Sequence, residues 1–262
     1  MSDFEFIEFY IEDQVAFIRL NQPDSLNAMT ERMAGEVSTA LDRASDEAGA
    51  VILTGAGRSF CSGANLKENS FDLDDPTIDM GIRLQETYNP LLTKMKSSPV
   101  PIVTAIRGAA AGIGSSMALM GDIIVTGHSA YFLQAFCNIG LVPDGGAPYL
   151  LSRAIGRVRA MELVLLGEKY RAEKAYADGL VTRYVEDDEV EPTAWEIAKK
   201  LAHGPTKTLK MIRQSTWAAY DTQFEDQLAS ERNLQREAGR TKDFAEGVTA
   251  FIEKRKAIFR GA

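Results

Sequence analysis

Residues 100–126 read VPIVTAIRGAAAGIGSSMALMGDIIVT. This stretch divides into an apolar run at Val100–Ile106, a segment of small residues at Ala109–Met120 and a second apolar run at Ile123–Thr126. Short runs rich in β-branched residues are typical of buried strands, and the longer segment between them predicts a helix. Strand, helix and strand at this spacing indicate a βαβ unit with parallel strands and a crossover helix.

The residues before this unit continue the alternation. Phe4–Ile11 and Val15–Leu20 predict a hairpin. Thr30–Asp46 predicts a helix that Thr30 caps at its N-terminus, and Val51–Thr54 predicts another short buried strand. We therefore expect an α/β core.

The residues after Ala147 change to a helical pattern, with little left for sheet. The predicted helices are Arg157–Gly167, Ala172–Asp178, Pro192–His203, Pro205–Ala219 and Phe224–Glu237, followed by an amphipathic helix at Phe244–Phe259. The apolar face of that last helix needs a partner. The fold class indicated is an α/β core with a helical tail.

Composition narrows the classes of function. The 262 residues are 45% hydrophobic and 25% charged, as in an ordinary globular chain long enough for one large domain or two small ones. Lys and Arg number 29 against 37 Asp and Glu, and no basic stripe occurs, which argues against nucleic acid as a partner. The apolar runs are too short to cross a bilayer, and the N-terminus lacks a secretory pattern. We expect a cytoplasmic protein with no membrane partner.

The chain has two cysteines and two histidines. Cys61 and Cys137 stand in apolar segments without a nearby histidine, so both are predicted to be buried small hydrophobic residues with no disulfide between them. His128 and His203 lie far apart without a paired carboxylate. That spacing does not support a metal site, and no metal is expected.

Two glycine-rich loops are candidate anion sites. Gly55–Leu66 follows a predicted strand, and Gly108–Ser116 joins a predicted strand to a helix. Glycines free the backbone to present N–H groups, and the first turn of a helix carries unpaired N–H groups. A purely structural loop is the alternative, and a P-loop is excluded because no Lys follows at the required place. Two converging N–H donors would bind an oxygen atom that gains negative charge during a reaction.

Asp144 is the candidate catalytic carboxylate. From Val100 through Ala147 the only acids are Asp122 and Asp144, and the latter lies in the run IGLVPDGG at residues 139–146. A poorly hydrated carboxylate has a raised pKa, which suits it to taking up and returning a proton. The alternative is a turn residue, because Pro-Asp-Gly-Gly is common turn chemistry. The local residues leave both interpretations open.

A set of motifs in fixed order resembles the crotonase, or enoyl-CoA hydratase and isomerase, superfamily over nearly the whole chain. The motifs are PDSLNAM (Pro23–Met29), VILTG (Val51–Gly55), SFCSGANL (Ser59–Leu66), PIVTAIRG (Pro101–Gly108), GDII (Gly121–Ile124), IGLVPD (Ile139–Asp144) and FAEGVTAFIEKR (Phe244–Arg255). The run FLQAFCNIGLVPD at 132–144 is especially similar to epoxyphenylacetyl-CoA isomerases. The resemblance implies a spiral of ββα turns over residues 1–200, a helical trimerisation region over 201–262, and a homotrimer or homohexamer.

The resemblance also implies roles for particular residues. The two oxyanion-hole N–H groups would be those of Ala64 and Ile113, and Asp144 stands where isomerases of the superfamily carry an aspartate. Lys254 is similar to a basic residue that reaches the CoA phosphate of a neighbouring subunit. The residues implied to line the CoA part of the site are Leu26, Ala28, Ser62, Asn65 and Leu66.

The chain departs from the hydratase pattern at two positions. Hydratases of the superfamily hold a water between two glutamates, and the corresponding residues here are Ser116 and Phe136, which are expected to line the substrate pocket. Without those glutamates water addition lacks its base and its acid. The expected function is therefore an acyl-CoA isomerase in which Asp144 moves a proton as a double bond shifts or a ring opens.

CoA enters this reaction as part of the substrate, and no cofactor is expected. Two alternatives stay open: hydration by a water held between Ser116 and Asp144, and a non-catalytic acyl-CoA-binding protein. Glu68–Asp79, with four aspartates, is predicted to be a mobile surface loop able to close over the pocket.

Overall fold

The computed structural model describes residues 4–66 and 74–262. Within these ranges the strands are β1 (Ile7–Glu12), β2 (Val15–Leu20), β3 (Ala50–Gly55), β4 (Ile102–Ile106), β5 (Ala109–Ala111), β6 (Ile123–Gly127), β7 (Tyr131–Leu133), β8 (Lys169–Arg171) and β9 (Arg183–Val185). The α-helices are α1 (Glu31–Glu47), α2 (Asn89–Ser97), α3 (Ile113–Leu119), α4 (Ala147–Leu166), α5 (Ala172–Ala177), α6 (Val190–Ala202), α7 (Thr206–Ala219), α8 (Phe224–Ala238) and α9 (Lys242–Glu253). The predicted α/β class is confirmed.

The larger sheet has the strand order β1-β2-β3-β4-β6-β9, and it is parallel apart from the β1–β2 hairpin. β3 and β4 are buried at every residue, as in parallel strands covered on both faces. α1 and α2 cover one face, and α6 covers the other. Because β3 and β4 are parallel neighbours, their C-terminal ends deliver both glycine-rich loops to the same edge of the sheet.

Several predicted elements are confirmed. The hairpin turns at Asp13 and Gln14, whose φ angles of 49° and 63° suit a tight two-residue turn. Thr30 caps α1, because its side-chain oxygen accepts a hydrogen bond from the Met33 N–H at 3.0 Å. The helices predicted between residues 172 and 237 occur within two residues of their predicted bounds.

The predicted helix Ala109–Met120 is wrong in its first turn. Its first three residues form β5, which pairs in parallel with β7 in the smaller sheet, and Cys61 forms a bridge with Ala110. Alanine favours helix locally, but the neighbouring strands offer hydrogen-bond partners that a local pattern does not reveal. Gly112, at φ 50° and ψ −127°, separates the strand from α3, which begins at Ile113.

The helix predicted at Arg157–Gly167 is confirmed as the second part of α4, which follows a break at Gly156, where φ is 77°. The part of α4 before this break was not predicted, and one further helix boundary was predicted wrongly. The helix expected at Phe244–Phe259 is α9, which ends because Lys254 takes the left-handed conformation at φ 56°. The basic residues of this segment therefore lie beyond the helix rather than in its last turn.

The helical tail, α7 to α9, is joined to the core through Arg213. This side chain is buried and donates from Nε to the Asp122 carboxylate at 2.6 Å and from Nη2 to the Met95 carbonyl at 3.2 Å.

Apolar residues on α9, such as Phe251, are exposed. The domain boundary near residue 200 and the role of the tail in trimerisation stay predictions. No helix among the described residues, tail included, has the length and apolar character needed to cross a membrane.

The prediction for the cysteines is confirmed for one and wrong for the other. Both are free, and Cys61 is buried. Cys137 is exposed, because it lies in the 3-10 segment Ala135–Ile139, in which Phe136 is the buried residue.

Candidate active site

The first glycine-rich loop lies against the segment that precedes α1. The hydrogen bonds between them run from the Ser62 N–H to the Leu26 carbonyl at 3.0 Å, from the Met29 N–H to the Gly63 carbonyl at 2.7 Å, and from the Asn65 N–H to the Met29 carbonyl at 2.9 Å. The residues expected to line the CoA part of the site therefore lie together on this strip. Leu66, at its end, is 49% exposed and so is available for contact with a ligand.

Asn27 holds this strip in place. It is fully buried and adopts a left-handed conformation at φ 54°, which asparagine tolerates. Its side-chain nitrogen donates to the carbonyls of Ala56 at 2.9 Å and Ser59 at 2.8 Å, and its side-chain oxygen accepts from the Gln22 N–H at 2.8 Å. One buried side chain therefore makes three hydrogen bonds, two of which link the segment before α1 to the first glycine-rich loop.

The two glycine-rich loops meet side by side. The Cys61 N–H donates to the Ala109 carbonyl, and the Ala111 N–H donates to the Cys61 carbonyl, each at 2.9 Å. A Cβ added to Gly112 would lie 3.7 Å from the Cα of Gly63, and one added to Gly63 would lie 4.0 Å from the Cα of Gly112. These are ordinary van der Waals distances, and glycine is favoured at both positions by the backbone conformation, with φ of 106° at Gly63 and 50° at Gly112.

Ala64 and Ile113 follow these two glycines directly. Ile113 is the first residue of α3, where an N–H has no acceptor within the helix, and no side chain caps that helix. No described residue accepts a backbone hydrogen bond from the Ala64 N–H. Gly114 sets the start of α3 against the first loop, because a Cβ there would lie 2.6 Å from the Cys61 carbonyl oxygen. Within the described residues these two N–H groups, from adjoining loops, have no acceptor, as an oxyanion hole requires.

The Asp144 turn packs against α3. Gly145 has a φ of 58°, and a Cβ there would lie 2.7 Å from the Ser116 Oγ and 2.9 Å from the Ile113 Cδ1. The main-chain oxygen of Asp144 accepts hydrogen bonds from the Ser116 hydroxyl at 3.2 Å and from the Ala147 N–H at 3.0 Å. The structure thus brings Asp144, Ser116 and Ile113 into one cluster.

The Asp144 carboxyl group lies in an apolar environment. Its Oδ1 is buried and has no hydrogen-bond partner among the described residues. Burial raises the pKa of this carboxyl to about 6. The backbone of Asp144 does form a turn, as the alternative interpretation required, but no described hydrogen bond ties the carboxylate to that turn. The side chain is therefore available to exchange a proton.

Two aromatic residues border the cluster. Phe136 is buried, with its Cζ 3.6 Å from the point that a Cβ on Gly112 would occupy. Tyr88, which the sequence pattern did not single out, is buried and donates from its hydroxyl to the Met29 carbonyl at 3.3 Å. Burial raises the pKa of Tyr88 to about 12, and the negative charge of Asp144 contributes.

Tyr88 was missed because its signal is structural. It ends the π-helical segment Leu84–Tyr88, which precedes α2. Such segments are rare and frequently lie at functional sites. A tyrosine in a helical run has no local pattern that distinguishes this geometry from an ordinary helix.

Lys254 is the predicted site residue that the structure does not bring to the cluster. It is exposed at the end of α9, and no described hydrogen bond or ion pair joins it to the site loops.

In the predicted loop Glu68–Asp79, residues 68–73 lie outside the described residues. Asp75 begins a turn by accepting the Thr77 N–H at 2.8 Å. The predicted closure of this loop over the pocket stays a prediction.

No cluster of three His, Cys, Asp or Glu side chains suited to a metal ion occurs within residues 4–66 and 74–262. The two histidines each pair with a carboxylate at the surface, His128 with Glu186 at 3.1 Å and His203 with Asp13 at 2.9 Å. Neither pair lies among the loops described above.

With this geometry established, comparison with known proteins defines the class. Residues 10–262 match the enoyl-CoA hydratase/isomerase family, and the chain belongs to that family of enzymes and has the crotonase fold. It is 39% identical over 259 residues to 1,2-epoxyphenylacetyl-CoA isomerase of Escherichia coli (strain K12), covering 98% of this chain and 99% of that relative. It is 40% identical over 255 residues to a probable enoyl-CoA hydratase of Rhodobacter capsulatus, covering 97% and 98%.

A solved structure gives the same result for the fold. The enoyl-CoA hydratase from Bacillus anthracis superposes with a TM-score of 0.90 at 27% identity, covering 98% of this chain and all of that one. The resemblance inferred from the motifs is therefore confirmed at the level of family and fold. The similar proteins include both an isomerase and hydratases, so the reaction of this chain has to be argued from its site.

Proposed function

We propose that this protein is an acyl-CoA isomerase that uses Asp144 as its acid and base. The observation that carries the proposal is the Asp144 carboxyl group, whose buried Oδ1 has no hydrogen-bond partner in the described part of the chain, on a turn packed against Ile113. A carboxyl with a pKa of about 6 is present in both protonation states near neutral pH, as repeated proton uptake and return requires.

The reaction follows from this arrangement. The N–H groups of Ala64 and Ile113 bind the thioester oxygen of a β,γ-enoyl-CoA. The Asp144 carboxylate removes a proton from the α-carbon, and the negative charge moves to the bound oxygen as an enolate. Asp144 then returns the proton to the γ-carbon, and the double bond moves to the α,β position. Atoms and charge balance without any other reactant, so the proposed reaction needs no cofactor. In a ring-opening substrate the same carboxyl group would assist bond cleavage.

The remaining features of the proposal concern the substrate and the assembly. Leu26, Ala28, Ser62, Asn65 and Leu66 would line the CoA part of the site, and Phe136 would border the acyl group. Lys254 would contact CoA across a subunit boundary in a homotrimer or homohexamer, which would explain its distance from the cluster within one chain. A cytoplasmic location would fit a CoA thioester as substrate.

Hydration is the second candidate, favoured by the similarity to a probable enoyl-CoA hydratase. It would need a water held between Ser116 and Asp144. Against it, Ser116 is fully buried and its hydroxyl already donates to the Asp144 main-chain oxygen. The third alternative, a non-catalytic acyl-CoA-binding protein, is disfavoured by membership of an enzyme family and by the unpartnered carboxyl group.

The test is to incubate the purified protein with a β,γ-enoyl-CoA and with crotonyl-CoA, following conjugation by absorbance and products by mass. We expect a mass-neutral shift to the conjugated thioester, lost in Asp144→Asn. Asp188→Asn makes the same change at an exposed residue and serves as the matched control. A product heavier by one water would support hydration instead, and binding of butyryl-CoA without turnover of either thioester would support the non-catalytic alternative.

A further inference from the structure

We propose that Ser116 is a positioning residue, which together with Gly145 clamps the Asp144 turn onto α3 so that the carboxyl group faces the reacting carbons. This inference rests on the proposed function, because it concerns the proton carried by Asp144. It differs from the role expected from the sequence, in which Ser116 lines the substrate pocket.

The hydrogen bond is the first observation. Ser116 is fully buried, and its hydroxyl donates to the main-chain oxygen of Asp144 at 3.2 Å. The N–H of Ala147, the first residue of α4, donates to the same oxygen at 3.0 Å. A carbonyl oxygen has two lone pairs, so this one is held from two helices at once. Because the carbonyl and the side chain share the Asp144 Cα, fixing the carbonyl also restricts where the carboxyl group points.

The contact at Gly145 is the second, independent observation. Its φ of 58° is a conformation that glycine adopts without strain, and a Cβ would lie 2.7 Å from both Cβ and Oγ of Ser116. The same Cβ would lie 2.9 Å from the Cδ1 of Ile113. The turn is therefore seated directly on the helix whose first residue provides one of the proposed oxyanion donors. Ser116 sets the spacing between acid and donor.

The clamp also accounts for the environment of the carboxyl group. The turn is held closely enough that Oδ1 of Asp144 is buried, and no residue within 4–66 or 74–262 forms a hydrogen bond with it. Among the residues that the structure describes, α3 carries no titratable group, Tyr88 before α2 interacts with the Asp144 charge, and Cys61 in the first loop interacts with Tyr88. Loosening the turn would admit water to the carboxyl group and lower its pKa toward the ordinary value.

A purely structural role makes a different prediction. If Ser116 were only a small residue that fits between helix and turn, alanine would serve equally well. If it bound the substrate, its loss would raise KM. A positioning role predicts a fall in kcat with little change in KM, together with a shift in the pH dependence.

The experiment compares Ser116→Ala with Ser115→Ala. Ser115 is the matched control, since it is equally buried on the same helix but accepts a hydrogen bond from Gln134 at 2.9 Å, and no described hydrogen bond joins it to Asp144. We expect kcat of Ser116→Ala on a β,γ-enoyl-CoA to fall about 10- to 100-fold with KM within about twofold. The acid limb of its kcat profile should move down by about one pH unit. Ser115→Ala should show neither change.

A second measurement does not depend on turnover. Titration of ¹³C-labelled aspartate carboxyl groups by NMR should show the Asp144 resonance, assigned by its loss in Asp144→Asn, shifting to lower pKa in Ser116→Ala. Gly145→Ala, which would push the turn off the helix, should shift it in the same direction. Wild-type kcat and an unmoved carboxyl pKa in folded Ser116→Ala would overturn the inference and leave the proposed function standing. Full activity of Asp144→Asn would overturn the proposed function itself.

Discussion

The turns that carry Asp122 and Asp144 place two aspartates of one apolar stretch in opposite situations. Asp122, in the turn between α3 and β6, accepts the Ile102 N–H at 2.8 Å and the Arg213 Nε at 2.6 Å through the same carboxylate oxygen. Asp144, in the turn before α4, has one buried oxygen that no residue described by the structure pairs with. A carboxylate bonded to a cation fixes the position of that partner, whereas a buried carboxyl group without a partner has a raised pKa and is available for proton transfer.

The largest expected effect tests whether the Asp144 carboxyl group transfers the proton. Asp144→Asn should lower kcat about a thousandfold, because an amide neither accepts nor returns the proton. Binding of butyryl-CoA, measured by calorimetry, should stay within about twofold of wild type. A variant that retains more than about a tenth of wild-type turnover would contradict the assignment of Asp144.

The next largest effect tests whether the ion pair between Asp122 and Arg213 stabilises the fold. Asp122→Asn should lower the free energy of unfolding by about 3 kcal/mol, because it leaves the Arg213 guanidinium buried without its carboxylate. Denaturant unfolding measures this loss, and kcat of the folded variant should stay near wild type. Adding Arg213→Met should recover part of the stability. Equal stability of wild type and Asp122→Asn would show that the tail does not depend on this ion pair.

The pH dependence gives a further test. The reaction needs the Asp144 carboxylate at its first step, and burial raises the pKa of this carboxyl to about 6. Turnover should therefore fall about tenfold for each pH unit below pH 6. Any residual activity of Asp144→Asn should not show this fall at acid pH. A profile that is flat between pH 5 and 7 would argue against Asp144 as the base.

The same pKa predicts how stability depends on pH. Because the pKa of Asp144 is higher in the folded chain than in the unfolded chain, its contribution to stability is complete below about pH 4 and is lost as the pH rises through about 6. The Asp144→Asn variant has no carboxyl group at this position, so its stability does not fall for this reason over the same pH range. Thermal unfolding of the two proteins should therefore diverge in favour of the variant as the pH rises from 4 to above 6, and parallel curves would contradict the burial of the charge.

The smallest expected effect concerns Tyr88, the neighbour of Asp144. Tyr88→Phe removes the hydrogen bond to the Met29 carbonyl and should cost about 1 kcal/mol of stability. With a pKa of about 12 the phenol is neutral near pH 6, so the acid limb of the activity profile should not move. A shift of that limb would show that the phenol takes part in the titration assigned to Asp144 alone.

What could be predicted from the sequence depended on whether the signal was local. Hydrophobic periodicity and the Thr30 cap were sufficient for the core strands and most helices. Ala109–Ala111 was misassigned, because its strand depends on partners distant in sequence. Cys137 was misassigned because an apolar neighbourhood in the chain does not reveal which side of a turn faces the core.

The sequence by itself determined the family, the α/β class and the candidate residues Ala64, Ile113 and Asp144, since these follow from motifs in fixed order and from an acid isolated among apolar residues. Only the tertiary structure decided how those residues are related. Three contacts join segments that lie far apart in the chain. Gly63 lies against Gly112, Gly145 packs on Ser116, and Asp122 pairs with Arg213. The physical reason is that hydration, burial and hydrogen bonding depend on which surfaces meet, and residue order alone does not specify those contacts.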